Sequence, residues 1–285
     1  MSGLRVNMNG DKITKGVVNK SIVKIYMDTS ESSEVSDEIL YGMTLNIKNR
    51  INNEWIDIET EYGYSGYIKS KDILLDNNIY NQWLKLRNSI VIKNFADILS
   101  AAKIQSNILI TLPRGTYIQK TGNISEDKVY SEVILADGRL GWVKSQFIRD
   151  IRKFNIESDL KEQFRENLCE DSLLYLDTQY RWGGKTPEGI DCSGFCSMLY
   201  MLNGVTIYRD ATIKKEFPIK KIDMINIKKG DLIYFPGHIA MYLGNDKYIH
   251  SANGNNGVRI NSLNKNDNDY WEWLAGRILY VGSLF

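Results

Sequence analysis

An eight-residue pattern that occurs twice constrains this chain more than any other feature: Gly63-Tyr64-Ser65-Gly66-Tyr67-Ile68-Lys69-Ser70 and Gly138-Arg139-Leu140-Gly141-Trp142-Val143-Lys144-Ser145 both read Gly-x-x-Gly-aromatic-β-branched-Lys-Ser. Upstream, Leu40-Tyr41-Gly42-Met43-Thr44-Leu45-Asn46-Ile47 parallels Leu112-Pro113-Arg114-Gly115-Thr116-Tyr117-Ile118-Gln119. Gly66 and Gly141 are 75 positions apart, and Gly42 and Gly115 are 73 apart. A nearly constant offset across separated matches is the mark of a duplicated structural unit.

Each unit reads as β-structure. Glu54-Trp55-Ile56-Asp57-Ile58-Glu59 alternates at period two, as a half-buried strand does. Val133-Ile134-Leu135 runs into Ala136-Asp137-Gly138, a strand entering a hairpin turn. Some five short strands in about 60–70 residues suit a small barrel. The boundaries fall at residues 17–76 and 87–150, with residues 77–83 as the connector. Trp55, Tyr67 and Trp142 are assigned to barrel core, since aromatics in small barrels mostly pack.

From Phe154 the period changes. Ser158, followed by a Glu/Gln-rich first turn, reads as a helix start. Leu160, Phe164, Leu168 and Leu173 or Leu174 recur at helical spacing, which makes Cys169 a packing residue. A glycine-rich approach, Tyr180-Arg181-Trp182-Gly183-Gly184, then leads to Asp191-Cys192-Ser193-Gly194-Phe195 and the apolar Cys196-Ser197-Met198-Leu199-Tyr200-Met201-Leu202. The latter reads as a second helix opening at Cys192. First-turn N–H groups lack intrahelical partners and carry partial positive charge, so a cysteine there is expected to be stabilised as thiolate, the nucleophilic form. Asp191 is a good N-cap. An inert buried cysteine is the commoner fate of this residue type, so the assignment depends on what lies downstream.

The chain has only two histidines, His238 and His250. Residues 238–243 and 247–252 alternate as strands, and Asn245-Asp246 closes a tight hairpin between them. That hairpin folds the two histidines near each other, with His238, Ala240 and Tyr242 on one face. A nucleophilic cysteine needs a base, and the base needs a partner that orients it. Cys192, His238 and His250 supply the three roles.

Composition narrows the remaining classes. With 36 Lys and Arg against 35 Asp and Glu, the formal net charge is +1. No nucleic-acid or anionic-membrane partner is implied. Cys169, Cys192 and Cys196 form neither a disulfide framework nor a zinc set, so no metal or cofactor is expected. Residues 1–10 contain no apolar leader core and no run spans a bilayer. The expected location is cytoplasmic, or outside the cell if a leader has been removed. A monomer is expected.

The two repeated units resemble bacterial SH3-like domains, whose closing "GWV" step matches Gly66-Tyr67-Ile68 and Gly141-Trp142-Val143. Residues from about 165 to 285 resemble the NlpC-type papain-like cysteine peptidases of bacterial cell walls. The matching residues are Tyr180-Arg181-Trp182-Gly183-Gly184, Asp191-Cys192-Ser193-Gly194-Phe195, Gly230-Asp231-Leu232, Gly237-His238-Ile239-Ala240-Met241-Tyr242 and Tyr248-Ile249-His250-Ser251-Ala252. The resemblance implies an α+β fold of two small SH3-like β-barrels followed by a papain-like cysteine peptidase domain at 158–285. It implies Cys192 as nucleophile, His238 as base and His250 as its orienter, with Tyr180, Asp191 and Ser193 holding substrate.

Two SH3-like units before such a domain further resemble the γ-D-glutamyl-L-diamino acid endopeptidases that recycle wall peptides. The implied substrates are peptidoglycan stem peptides or muropeptides with a free N-terminal L-alanine. The ammonium-holding candidates are Glu38 and Tyr64. Asp210 matches that family's Arg-Asp-Ser step, in which Ala211 replaces the serine. The alternatives on the same architecture are an N-acetylmuramoyl-L-alanine amidase and a wall-binding module.

Overall fold

The computed structural model describes residues 14–155 and 160–285. The expected helix start at Ser158 and the N-terminal residues 1–10 lie outside the described residues. Two compact units divide the chain, Met1–Ile151 and Arg152–Phe285.

The first unit contains two seven-stranded antiparallel sheets. One is formed by β1 (Lys15–Val18), β2 (Ile22–Tyr26), β3 (Val35–Leu40), β4 (Thr44–Arg50), β5 (Trp55–Thr60), β6 (Ser65–Lys69) and β7 (Ile73–Leu74). Helix α1 (Asn77–Leu86) follows, and with it the connector turns out to be helical. Asp76 caps it by accepting from the N–H groups of Asn78 and Ile79, which satisfies two orphan donors of the first turn. The second sheet is formed by β8 (Ser89–Val91), β9 (Phe95–Leu99), β10 (Ile108–Pro113), β11 (Tyr117–Ile124), β12 (Tyr130–Ile134), β13 (Leu140–Lys144) and β14 (Ile148–Asp150).

The strand orders are β3-β2-β6-β5-β4-β1-β7 and β10-β9-β13-β12-β11-β8-β14. Adding seven to each label of the first order produces the second, so the sequence repeat is a repeat of topology. The end strands pair only with their immediate neighbours, which leaves each sheet open rather than closed among the described residues. With two residues in β7 and three in β14, the last strand offers few groups for a closing ladder.

The repeated motif has a steric origin. A Cβ on Gly66 would stand 2.5 Å from Ile25 Cγ2, and one on Gly141 would stand 2.5 Å from Ile98 Cγ2. Both glycines allow a neighbouring strand to pass at van der Waals contact. The aromatic that follows is not core at either position. Tyr67 and Trp142 are half-buried, whereas Ile68 and Val143 are fully buried. Strand alternation sends the β-branched residue inward and the aromatic outward. Trp55 is core, 4% exposed, and packs edge-on against Tyr26.

The two sheets share one hydrophobic cluster, in which Val17, Tyr41 and Trp83 meet Ile98, Ile118 and Val133. Tyr41 Oη accepts from Ala136 N–H at 2.7 Å, and Trp83 Nε1 donates to Gly42 O at 2.7 Å. Both aromatics thus place their polar atoms on backbone partners while burying their rings.

The second unit opens with helix α2 (Lys161–Leu173). Of its expected apolar stripe only Phe164 and Leu168 are buried, while Leu160, Leu173 and Leu174 face solvent. Next come the short pair β15 (Lys185–Thr186) and β16 (Gly189–Ile190), then helix α3 (Cys192–Leu202). A six-stranded sheet follows, from β17 (Lys220–Ile222), β18 (Leu232–Phe235), β19 (His238–Gly244), β20 (Lys247–Ala252), β21 (Gly257–Ser262) and β22 (Tyr280–Ser283), with helix α4 (Glu272–Ala275) before its last strand. Their order is β17-β22-β18-β19-β20-β21. All but two residues of α3 are buried, because it packs on β19 and β20.

One buried ionic junction anchors α2 to this sheet. Asp231 Oδ1 accepts from Arg165 Nη1 at 2.7 Å and from Ser283 Oγ at 2.6 Å, and Asp231 Oδ2 accepts from Lys228 N–H at 2.8 Å. Both oxygens of the buried carboxylate are hydrogen-bonded and its charge is paired with a guanidinium, as burial of a charge requires. The Gly230-Asp231-Leu232 motif is architectural.

Candidate active site

Cys192 is the first residue of α3, and Asp191 is its N-cap. Asp191 Oδ1 accepts from Gly194 N–H at 2.6 Å, from Ser193 Oγ at 3.3 Å and from Arg209 Nη1 at 3.0 Å. Oδ2 accepts from Gly183 N–H at 2.9 Å and Arg209 Nη2 at 2.8 Å. The carboxylate that the sequence offered as a substrate contact is therefore fully engaged in holding the helix start. Gly194 lies so close to the glycine-rich approach that a Cβ there would stand 2.2 Å from Gly184 O.

Ser193, the other residue expected beside Cys192, donates to Asp191 and accepts from Arg209 Nη1 at 2.8 Å. Arg209, the arginine of the Arg-Asp-Ser step, is 2% exposed; its neighbour Asp210, the expected substrate contact, is half-buried and hydrogen-bonds Tyr208. Nothing in local pattern distinguishes an arginine that will be buried by a fork-on-carboxylate pair 18 positions away. Glu38 and Tyr64 belong to the first unit. Glu38 is buried on β3, and the Tyr64 hydroxyl reaches Ser36 O on the same strand at 3.5 Å.

The hairpin of β19 and β20 turns through Asn245 and Asp246, both with positive φ of 50° and 60°, as a type I′ turn demands. Tyr242 lies opposite Tyr248. This register puts His238 and His250 on one face, and His238 Nε2 stands 2.8 Å from His250 Nδ1. His250 Nε2 in turn stands 3.0 Å from Asn261 Oδ1. Trp271 lies against the His250 ring at 5.4 Å between centroids, and His250 is wholly buried. The Cys192 sulfur is within reach of the Ile239 and Ser193 N–H groups, which sets it at the mouth of the strand that begins with His238.

A cavity of about 460 Å³ opens at this point, lined in part by Tyr180, Gly237, His238, Asn253, Trp271 and Trp273. Its size is that of a small-ligand site. Desolvation, reinforced by Cys192 and Asp191, pushes the Tyr180 phenol above its ordinary pKa, so it stays a hydroxyl donor. Among the described residues no group of three or more His, Cys, Asp or Glu is placed to hold a metal ion.

The ionisation of Cys192 differs from the expectation at a helix start. Burial first, and then the Asp191 carboxylate, push its thiol up to about 11, against the lowering effects of Ile239 N–H, Arg209 and Ser193 N–H. The free protein holds a thiol. The ultraviolet thiolate absorbance of native protein minus Cys192→Ala should therefore appear only above about pH 10. A thiolate signal below pH 8 would contradict the structure.

Both imidazoles are held neutral. Burial, followed by the His250 charge, lowers His238 to about 3; burial lowers His250 to about 4 against the raising effect of Asn261. In the unfolded chain both rings protonate near pH 6.5. Below that pH the unfolded state binds more protons, so stability falls with acidification from about pH 6.5 towards 4. Each ring contributes at most about 1.4 kcal/mol per pH unit. Urea unfolding at pH 7 and pH 5 should show a loss of about 4 kcal/mol from the two rings. A His238→Gln/His250→Gln double variant should lose correspondingly less; an equal loss would overturn the assignment.

Comparison with known proteins agrees with this geometry. Residues 177–277 match the NlpC/P60 family. A dipeptidyl-peptidase 6 of Lysinibacillus sphaericus is 41% identical over 94% of this chain and 99% of its own length. A gamma-D-glutamyl-L-lysine dipeptidyl-peptidase of Bacillus cereus is 24% identical over 88% of this chain and 77% of its own. The crystal structure of an NlpC/P60 family protein from Bacillus cereus superposes with a TM-score of 0.75 at 18% identity, over 94% of this chain and 98% of that one, which extends the likeness of fold to both units. The protein is a cysteine peptidase with an α+β fold. It belongs to the NlpC/P60 family.

Proposed function

We propose that the protein hydrolyses the γ-D-glutamyl-L-diamino acid bond of peptidoglycan-derived peptides, taking those with a free N-terminal L-alanine. The observation that carries the reading is the His238–His250 hydrogen bond, 2.8 Å long between β19 and β20, next to Ile239, whose N–H meets the Cys192 sulfur. The likeness to the Bacillus cereus gamma-D-glutamyl-L-lysine dipeptidyl-peptidase, over 88% of this chain, supports the choice of bond.

In the mechanism, His238 takes the thiol proton as sulfur attacks the carbonyl of D-glutamate, because the free protein holds neutral thiol and neutral imidazole. The Cys192 N–H and the Tyr180 hydroxyl are the donors for the oxyanion. The C–N bond then breaks, and the His238 proton goes to the leaving amine of the diamino acid. Water, deprotonated by His238, then attacks the acyl carbon; the C–S bond breaks, the dipeptide leaves, and His238 returns the proton to sulfur. His250 holds the His238 ring in place throughout.

Incubation with L-Ala-γ-D-Glu-L-Lys and its diaminopimelate analogue should yield L-Ala-γ-D-Glu and the free diamino acid by mass spectrometry. Absence of both products, or cleavage only of peptides that still carry muramic acid, would reject the reading.

A further inference from the structure

We propose that Asn261 is a positioning residue that determines which nitrogen of His238 carries the lone pair. The inference rests on the reading of Cys192, His238 and His250 as the reacting groups.

Asn261 lies on β21 opposite Tyr248, on the face that also carries His250. Its Nδ2 donates to Asp269 O at 2.9 Å. A backbone carbonyl only accepts, so this bond sets the orientation of the amide and turns Oδ1 towards His250 Nε2, 3.0 Å away. An amide oxygen also only accepts, so His250 Nε2 carries hydrogen and, in the neutral ring, Nδ1 is an acceptor. His238 Nε2, 2.8 Å from that acceptor, must then be the donor. The hydrogen of neutral His238 is thereby assigned to Nε2, and its Nδ1 holds the lone pair that a base requires.

The carbonyl at the start of this relay is itself held. Asp269 O also accepts from Ser262 N–H at 3.0 Å. The Asp269 and Asp267 carboxylates both meet Lys247 Nζ, at 2.6 and 2.7 Å. The relay therefore runs from a pinned loop to the base through two side chains, Asn261 and His250. Without Asn261 nothing in it distinguishes the two tautomers of the histidine pair, and the reversed set places hydrogen on His238 Nδ1.

The test is ¹⁵N imidazole spectroscopy on the full-length, tag-free protein, whose two histidines make the spectrum simple. In the native protein both rings should be Nε2–H. Asn261→Leu should shift His238 towards Nδ1–H and lower kcat roughly 100-fold with KM little changed, the size expected for a group that orients a functional histidine. Asn261→Asp keeps an acceptor for His250 Nε2–H. It should restore the native tautomers and recover at least about tenfold of the lost kcat, although it loses the bond to Asp269. A native spectrum with Nδ1–H on His238 would overturn the proposal, as would Asn261→Asp being no better than Asn261→Leu. The native spectrum is read without turnover, so it fails or succeeds independently of the peptidase reading. That reading is lost instead if Cys192→Ala leaves hydrolysis intact.

Discussion

Replacing Cys192 by alanine should abolish release of L-Ala-γ-D-Glu, lowering kcat by about 10⁴-fold or more, as removal of a nucleophile does in enzymes whose reacting groups act as a unit. The fold should survive. Cys192 is a small side chain, 7% exposed, and it makes none of the hydrogen bonds of the Asp191–Arg209 junction. Alanine leaves Asp191 capping α3 and leaves His238 bonded to His250. The melting temperature should therefore stay within a few degrees of native while turnover disappears. His238→Ala added to Cys192→Ala should cost little more, because base and nucleophile act on one proton. Turnover that persists in Cys192→Ala would remove the thiol from the mechanism.

Arg209→Met should cost about 3–5 kcal/mol of stability, because it strands a buried carboxylate whose charge the guanidinium neutralised. The pair is closed off from water, with 2% of the Arg209 and 8% of the Asp191 side chain accessible. Gly183 and Gly194 N–H would still bond Asp191, but neutral donors do not cancel its charge. The double variant Asp191→Asn/Arg209→Met should be more stable than Arg209→Met alone, since the asparagine can cap without a charge. The same substitution takes away one of the groups that lower the Cys192 pKa, so the thiol should titrate higher still. Urea unfolding gives the stability difference, and a change below 1 kcal/mol for Arg209→Met would mean that the junction is dispensable.

The duplication was legible because a one-residue steric requirement leaves a permanent mark. Gly66 and Gly141 must be glycine for Ile25 and Ile98 to pass, and the offset between them reports the repeat. The start of α3 was legible from Asp191 and Cys192, and the hairpin from Asn245-Asp246, since capping and turn chemistry act over a few residues. The inward assignment of Tyr67 and Trp142 failed for a related reason. Composition says that aromatics pack, but alternation decides which face they occupy.

Arg209 and Asn261 were not legible. Each acquires its role from a partner brought close by strand register or chain reversal, and β21 takes its register from a turn ending in left-handed Asn256, φ 55°. The amino-acid sequence determined the periodicities, caps and turns, hence which elements form and that Cys192, His238 and His250 can converge. Tertiary structure alone decided how those groups are ionised. Burial and the Asp191 carboxylate outweigh the helix start at Cys192, and burial holds both imidazoles neutral, because desolvation sums over every surrounding atom whatever its place in the chain.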